Sequence, residues 1–527
     1  MSLFVPNAIM TLPVAVATVG AILIYTVCRV LFGPLAKLPG PKLYSLTGLI
    51  LSKEGFQGTR TRAIHRLHQQ YGPVVRVGPN EVSFNSLTAL RQIYGASSSF
   101  GRPPAFYRIF HVYGQVHLFT FFSSAEHAAR KKTMSQMYSK STVLKSPVAD
   151  SIQSKAKQFT DLIESDPHMA SDLTKSLHFF SLDNITWMIF GDRGGTAALA
   201  GKVADRQILS DIDEPTARRY SWFQIHLPRY TQFVMSCGSR LRSIFDTFGF
   251  LPGNRPLAYS GLQEYALATF HTLRDGPSST AASNVNLLMR LLHEKNSNSG
   301  KTPLSDLEIA AECADHLDAG LKTTSDTLMF ALWTLSLPGH QQYQQRLMNE
   351  VKDAASSRPR SGMGLPADIC DRLPFLDAVI KETLRLYAPI PASQHRISTR
   401  DNTIDGYHIP AGTIVSCQAF SLHRNPKVFP DPNTFNPERW LADDAETAEM
   451  KRWWWPFSSG ARMCLGTHLA LAEMKTLLAA IYQAYSTTLD PEFEKLSPKA
   501  TSRFELVYDD SFPSCEGEEF RIIFDRR

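Results

Sequence analysis

Ser305-x-x-Glu308, just after Pro303, has the form of a helix capping box, and Pro338-Gly339 is the strong stop that follows it. The helix-forming run they bracket, residue 305 to about residue 337, would reach roughly 45 Å at 1.5 Å per residue. A helix that long crosses a whole domain, so the chain around it is expected to build one large body. Residues 373–387 and 465–485 read as further helices, and residues 403–415 (TIDGYHIPAGTIV) as short strands joined by Gly and Pro turns. The polar stretches 293–303 and 354–369 look like loops inside that body, because helical patterns lie directly on both sides. A hydrophobic fraction of 43% excludes wholesale disorder. Lys+Arg 55 against Asp+Glu 49 leaves +6, too dilute for a dedicated nucleic-acid binder. The expected fold is mainly α with a small β region, in a single large domain over residues 46–527.

From residue 3 to residue 28 there is no Asp, Glu, Lys or Arg. That stretch exceeds the roughly 20 residues that cross a bilayer as a helix. A cleaved signal peptide fits less well, because no Lys or Arg precedes the apolar run. Arg29, Lys37 and Lys42 follow it, which places the rest of the chain in the cytoplasm by the positive-inside rule. Leu38-Pro39-Gly40-Pro41 then forms a stiff elbow within a basic, proline-rich hinge over residues 29–45.

Seven cysteines lie far apart, with no CxxC pair, so they do not read as a disulfide framework or a zinc site. One of them stands apart by its surroundings. In Phe457-Ser458-Ser459-Gly460-Ala461-Arg462-Met463-Cys464-Leu465-Gly466 a Gly-relaxed loop ends in a cysteine at the start of a helix. Backbone N–H groups and the positive helix end are expected to favour a thiolate there. Arg462 is placed to meet an anionic group, and Gly460 and Gly466 would let a flat, bulky group approach the backbone.

This segment resembles the FxxGxRxCxG loop of the cytochromes P-450, through Phe457, Gly460, Arg462, Cys464 and Gly466. A chance match to five fixed positions has odds of about one in 10⁴ over a chain of this length. Other segments resemble the family in the same order: Glu382-Thr383-Leu384-Arg385 fits its ExxR, and Phe435-Asn436-Pro437-Glu438-Arg439-Trp440 its FxPERF-like segment. The resemblance implies that Glu382, Arg385 and Arg439 form a buried ion network, that Cys464 ligates the iron of heme b, and that Arg396 meets a heme propionate.

Ala319-Gly320-Leu321-Lys322-Thr323-Thr324 lies midway along the long helix, where the family has A/G-G-x-D/E-T-T. Ala319, Gly320 and Thr323 share a face by helical spacing. The resemblance puts that face over the iron, with Thr323 as the proton-relaying hydroxyl, although Thr323 bonding its own helix carbonyl is the competing reading. Lys322 departs from the family's usual acid, so protons come by another route or the reaction is not simple hydroxylation. A second departure is His127-Ala-Ala-Arg130-Lys131-Lys132, where many relatives have WxxxR. His127 and Lys131 keep the i,i+4 spacing to face a propionate pair, with a solvated basic helix face as the competing reading.

Residues 100–122 are crowded with rings, the segment that roofs the pocket in the family, so an apolar, aromatic or polycyclic ligand is expected. The resemblance further implies a separate NADPH-dependent flavoprotein reductase, met by Arg130, Lys131, Lys132, Lys451, Arg452 and Arg462. The chain looks most like single-pass enzymes of the endoplasmic-reticulum membrane that hydroxylate or desaturate intermediates of fungal secondary metabolism. Two other readings stay open on sequence: a heme-thiolate isomerase or dehydratase without O2 activation, and a non-enzymatic heme-binding sensor or electron carrier.

Overall fold

The computed structural model describes residues 7–212, 216–251, 260–276, 286–296, 303–356, 364–501, 505–515 and 519–527. Residues 3–6 of the expected anchor, and 297–302 and 357–363 of the two expected loops, lie outside them. The first helix, α1 (Asn7–Phe32), continues through Pro13 and Gly20, and its only charged residue is Arg29. Among the described residues, no helix is long and apolar enough to cross a membrane. The expected transmembrane helix is therefore not established by the fold.

The elbow after α1 packs on the strand β1 (Val74–Gly78). Arg76 N donates to Pro39 O at 2.7 Å. Gly40 has φ +140°, and a Cβ there would lie 2.6 Å from Arg76 O, so only glycine fits. Five further strands form the small β region: β2 (Glu81–Phe84), β3 (Arg396–Ile397), β4 (Asn402–Ile404), β5 (Tyr407–Ile409) and β6 (Ile414–Ser416). Four of the six make a sheet in the order β1-β2-β6-β3, with β2 and β6 parallel and Glu81 opposite Ile414. β4 and β5 form a hairpin over Asp405-Gly406, both at positive φ, as a tight turn requires. The expected strands within 403–415 are these last three.

Eight more helices position the site: α2 (Ser124–Met134), α3 (Val148–Glu164), α4 (Leu173–Phe190), α5 (Pro228–Ser236), α6 (Ser239–Thr247), α7 (Asp306–Ser336), α8 (Pro374–Leu386) and α9 (Thr467–Ala484). α7 is the long helix expected from its caps. Glu308 N donates to Ser305 Oγ at 3.2 Å, and Ser305 N donates back to Glu308 Oε2 at 2.8 Å. α9 stops earlier than expected. Tyr485 is already extended and begins Tyr485–Leu489, which pairs with Arg521–Arg526 in a second sheet that the helical pattern concealed. Between Ile309 and Leu337, α7 is buried except at Asp315, Asp318, Ala319, Gly320, Thr323 and Asp326. A buried helix that opens only in its middle has something other than core packing on that face.

The expected ion network is present and complete. Glu382, fully buried, accepts from Arg385 Nε at 2.8 Å and Nη2 at 2.9 Å, and from Arg439 Nε at 3.0 Å. Asn436 N and Trp440 Nε1, each at 2.9 Å, fill its remaining acceptor sites. Arg385 spends its other protons on the carbonyls of His423, Pro432 and Thr434. Every charge here is bonded, so removing one partner strands the others in a low-dielectric interior. Glu382→Ala should cost about 3–5 kcal/mol of stability, measured by urea unfolding. A transition midpoint indistinguishable from the parent's would contradict this account.

Candidate active site

Cys464 follows a short 3₁₀ turn at Gly460–Arg462 and precedes α9. Its N–H donates to Phe457 O at 2.9 Å, closing the loop, and Phe457 packs its ring against Trp454. Gly460 has φ +65°, and a Cβ on it would sit 2.3 Å from Tyr94 O. Glycine is thus demanded by the neighbouring backbone, not by the approach of a flat ligand as the sequence suggested. At Gly466 an added Cβ would meet only Cys464 Sγ, at 4.0 Å, which leaves the sulfur's flank clear. The Cys464 thiol is itself open to small-molecule contact, although protein surrounds it closely enough for desolvation to dominate its ionisation. Burial pushes the thiol up, against the Gly466 N–H, the Thr467 hydroxyl and the Lys131 ammonium, which pull it down. The helix end alone therefore does not hold a thiolate, contrary to the expectation; a bound metal cation would.

Around this sulfur the positive side chains outnumber the acids. Arg396 is buried, lies over the Tyr94 ring at 4.8 Å, and donates to Tyr107 Oη at 3.1 Å and His395 O at 2.9 Å. Arg396 and Arg462 line one pocket together with Tyr94, Gly95, Ser459 and Ala461. Desolvation and the neighbouring Arg396 push Arg462 down to about 10. His127 is buried with Nδ1 unbonded, and desolvation followed by Arg462, Arg102, Lys131 and Arg396 drives it down to about 3.

Arg102 belongs to the same group, and sequence reasoning missed it. It is buried, with Nε unbonded, under the rings of Tyr107 and Phe119, and desolvation pushes it down to about 9. Its signal was available, because residues 100–122 carry two arginines and two histidines but no Asp or Glu.

Two of the cations also clasp the loop. Lys131 Nζ donates to Ala461 O and Met463 O, each at 3.0 Å, and Arg462 donates from both Nη atoms to Phe121 O and Phe122 O, each at 2.9 Å. Each segment thus holds the other's carbonyls. The clasp occupies Lys131 Nζ and leaves His127, with Nδ1 unbonded, as the other member of the expected pair. It also removes Lys131 and Arg462 from the docking surface. Arg130 is removed as well, being buried and paired with Glu312, and Lys132, Lys451 and Arg452 stay exposed.

On α7, Ala319 is exposed and Thr323 half-buried on the open stripe, whereas Lys322 is buried. Thr323 Oγ1 donates to Ala319 O at 2.7 Å, the helix-carbonyl bond weighed above. Gly320 faces elsewhere: a Cβ there would strike the Ile185 side chain at 2.7 Å, so its smallness lets α4 approach α7.

The residues present fit heme b. A planar group with an iron and two carboxylates matches an accessible thiol, a cluster of cations and two unbonded buried nitrogens, His127 Nδ1 and Arg102 Nε. The profile of the family described as Cytochrome P450 matches residues 38–508. The chain belongs to the cytochrome P450 family. It is similar to a cytochrome P450 monooxygenase of Emericella nidulans, stcB, at 31% identity over 86% of this chain and 82% of the relative. It is also similar to one of Aspergillus parasiticus, aflV, at 28% over 91% and 89%. The heme domain of cytochrome P450DA shares its fold, with TM-score 0.66 and 17% identity over 89% of this chain and 94% of that one. This P450 is accordingly a monooxygenase whose cofactor is heme with an axial cysteine thiolate.

The ring-rich segment 100–122 is tied to α7 by charge. His117 Nδ1 meets Asp315 Oδ2 at 3.0 Å, and His117 Nε2 donates to Phe110 O at 2.7 Å. Although burial opposes it, Asp315 raises His117 to about 9. A histidine raised above its ordinary 6.5 adds stability that is full below 6.5 and lost as pH climbs through 9. The stability difference between the parent and His117→Asn, from urea titrations at several pH values, should be largest below pH 6.5 and vanish above about pH 9. A difference that grows with pH would contradict the pairing.

Proposed function

We propose that this P450 takes electrons from a separate NADPH-dependent flavoprotein reductase. It uses them to hydroxylate or desaturate an apolar, aromatic or polyketide-type intermediate of fungal secondary metabolism. The observation that carries the reading is an accessible Cys464 thiol beside a cluster of cations, Arg102 and Arg396 buried and Lys131 and Arg462 half-buried. Bound through Cys464, heme supplies the reductive activation of O2. Arg102, His127, Arg396 and Arg462 would hold its acidic arms, and Lys131 fixes the cysteine loop. Thr323 commits its own proton to Ala319 O, so its oxygen lone pairs are left to accept a proton-bearing water on the open stripe. Lys322 is buried off that stripe and cannot stand in for the family's acid there.

Lys132, Lys451 and Arg452 offer the acidic reductase an exposed cationic face. The same reading places the chain on the endoplasmic-reticulum membrane by α1, with the catalytic body cytosolic. Two observations support it: α1 carries no charge before Arg29, and Phe233, Leu241, Ile244, Phe248 and Phe250 on and beside α5 and α6 are exposed.

Metabolites of cells with and without the gene identify the product, and membranes with reductase then test its requirements. Product should form only with both NADPH and O2, whereas formation without them would favour the isomerase or dehydratase reading. Thr323→Ala should lower product per NADPH by at least about tenfold, with the difference appearing as hydrogen peroxide. Unchanged product per NADPH would remove Thr323 from proton handling.

A further inference from the structure

Asp315 stands one turn before Ala319 and two before Thr323, on the stripe of α7 that stays open. Successive positions four apart drift only about 40°, so the three side chains share a face. Apolar ligand pockets take their orientation from a few placed polar groups, and an ionised carboxylate is the strongest acceptor such a wall can carry. The His117 pairing engages Asp315 Oδ2 and leaves 16% of the side chain open, so Oδ1 retains acceptor capacity.

The surrounding charges decide which donor suits it. His117 is the counter-ion from the roof, and Arg102 lies near enough to act on Asp315 through space. On α7 itself, Glu312 is occupied by Arg130 and accepts from Leu118 N at 3.2 Å, while His316, kept neutral by burial, bonds Tyr138 Oη at 2.6 Å. Asp315 is thus an anion already balanced by cations. A cationic ligand would gain little from it and would meet His117 and Arg102 as repulsion. A neutral O–H gains an ionised hydrogen bond without disturbing that balance. The rings of Phe106, Phe110, Tyr107 and Phe119, in mutual contact in the roof, supply the apolar part of the recognition.

We infer that Asp315 is a specificity-determining residue that accepts a hydrogen bond from a phenolic or alcoholic hydroxyl of a ring-bearing substrate. It fixes that hydroxyl roughly 6 Å along the helix from Ala319. The inference rests on the monooxygenase reading, because it takes the open face of α7 as the substrate side.

Calorimetric titration of the heme-loaded protein with three probes tests it: 2-naphthol, 2-methoxynaphthalene and 2-naphthylmethylammonium. The parent should bind the naphthol at least about tenfold tighter than either other probe. Asp315→Leu should bring the naphthol-to-ether ratio near one, with Asp315→Asn between. A purely structural role for Asp315 would weaken naphthol and ether alike and leave their ratio unchanged, which would overturn the inference. So would a parent that prefers the ammonium, binds naphthol and ether equally, or binds none of the three. Failure of the monooxygenase reading shows separately, in the carbon-monoxide spectrum of the parent.

Discussion

Burying a cation without a facing anion is among the more costly things a fold can do. This chain gathers such charges in one place: Arg102 and Arg396, both buried, with Arg462 and Lys131, both half-buried, crowd His127, and burial together with mutual repulsion depresses both His127 and Arg462. An acidic group bound among them would relieve that repulsion. The clasp between Lys131, Arg462 and the carbonyls of the opposing segments ties the ring-rich roof to the cysteine loop through the same side chains. Position of the thiol, charge for the cofactor and order in the roof are one problem with one solution.

The Glu382 network is the contrasting case. There five donors satisfy both oxygens of one carboxylate, and the site is closed to anything else. It supports the cysteine loop from behind, by fixing the segment that ends in Trp440. Charge is complete where the protein needs rigidity and incomplete where it needs a ligand.

Much of this was readable in the sequence because it is local. The capping box of α7, the Gly-and-Pro-punctuated strands near residue 410, and the cysteine loop are each set by residues within a few positions of one another. What was not readable depends on distant backbone. Gly460 answers to Tyr94 and Gly320 to Ile185, and neither partner is visible from a motif. The early end of α9 was hidden because the apolar pattern runs on through Tyr485 into a strand. The carbonyls that Lys131 and Arg462 hold lie on opposing segments, so neither bond is visible from a motif. Arg102 sits among rings that read equally well as ordinary core packing.

The account stands on Cys464 giving a sulfur anion to heme iron. Its most direct test is the absorbance of the reduced, folded, heme-loaded protein under carbon monoxide. A band at about 450 nm that is lost in Cys464→Ser is the predicted result. A folded, heme-loaded parent with no such band, or one that keeps it when Cys464 is replaced, would contradict the account.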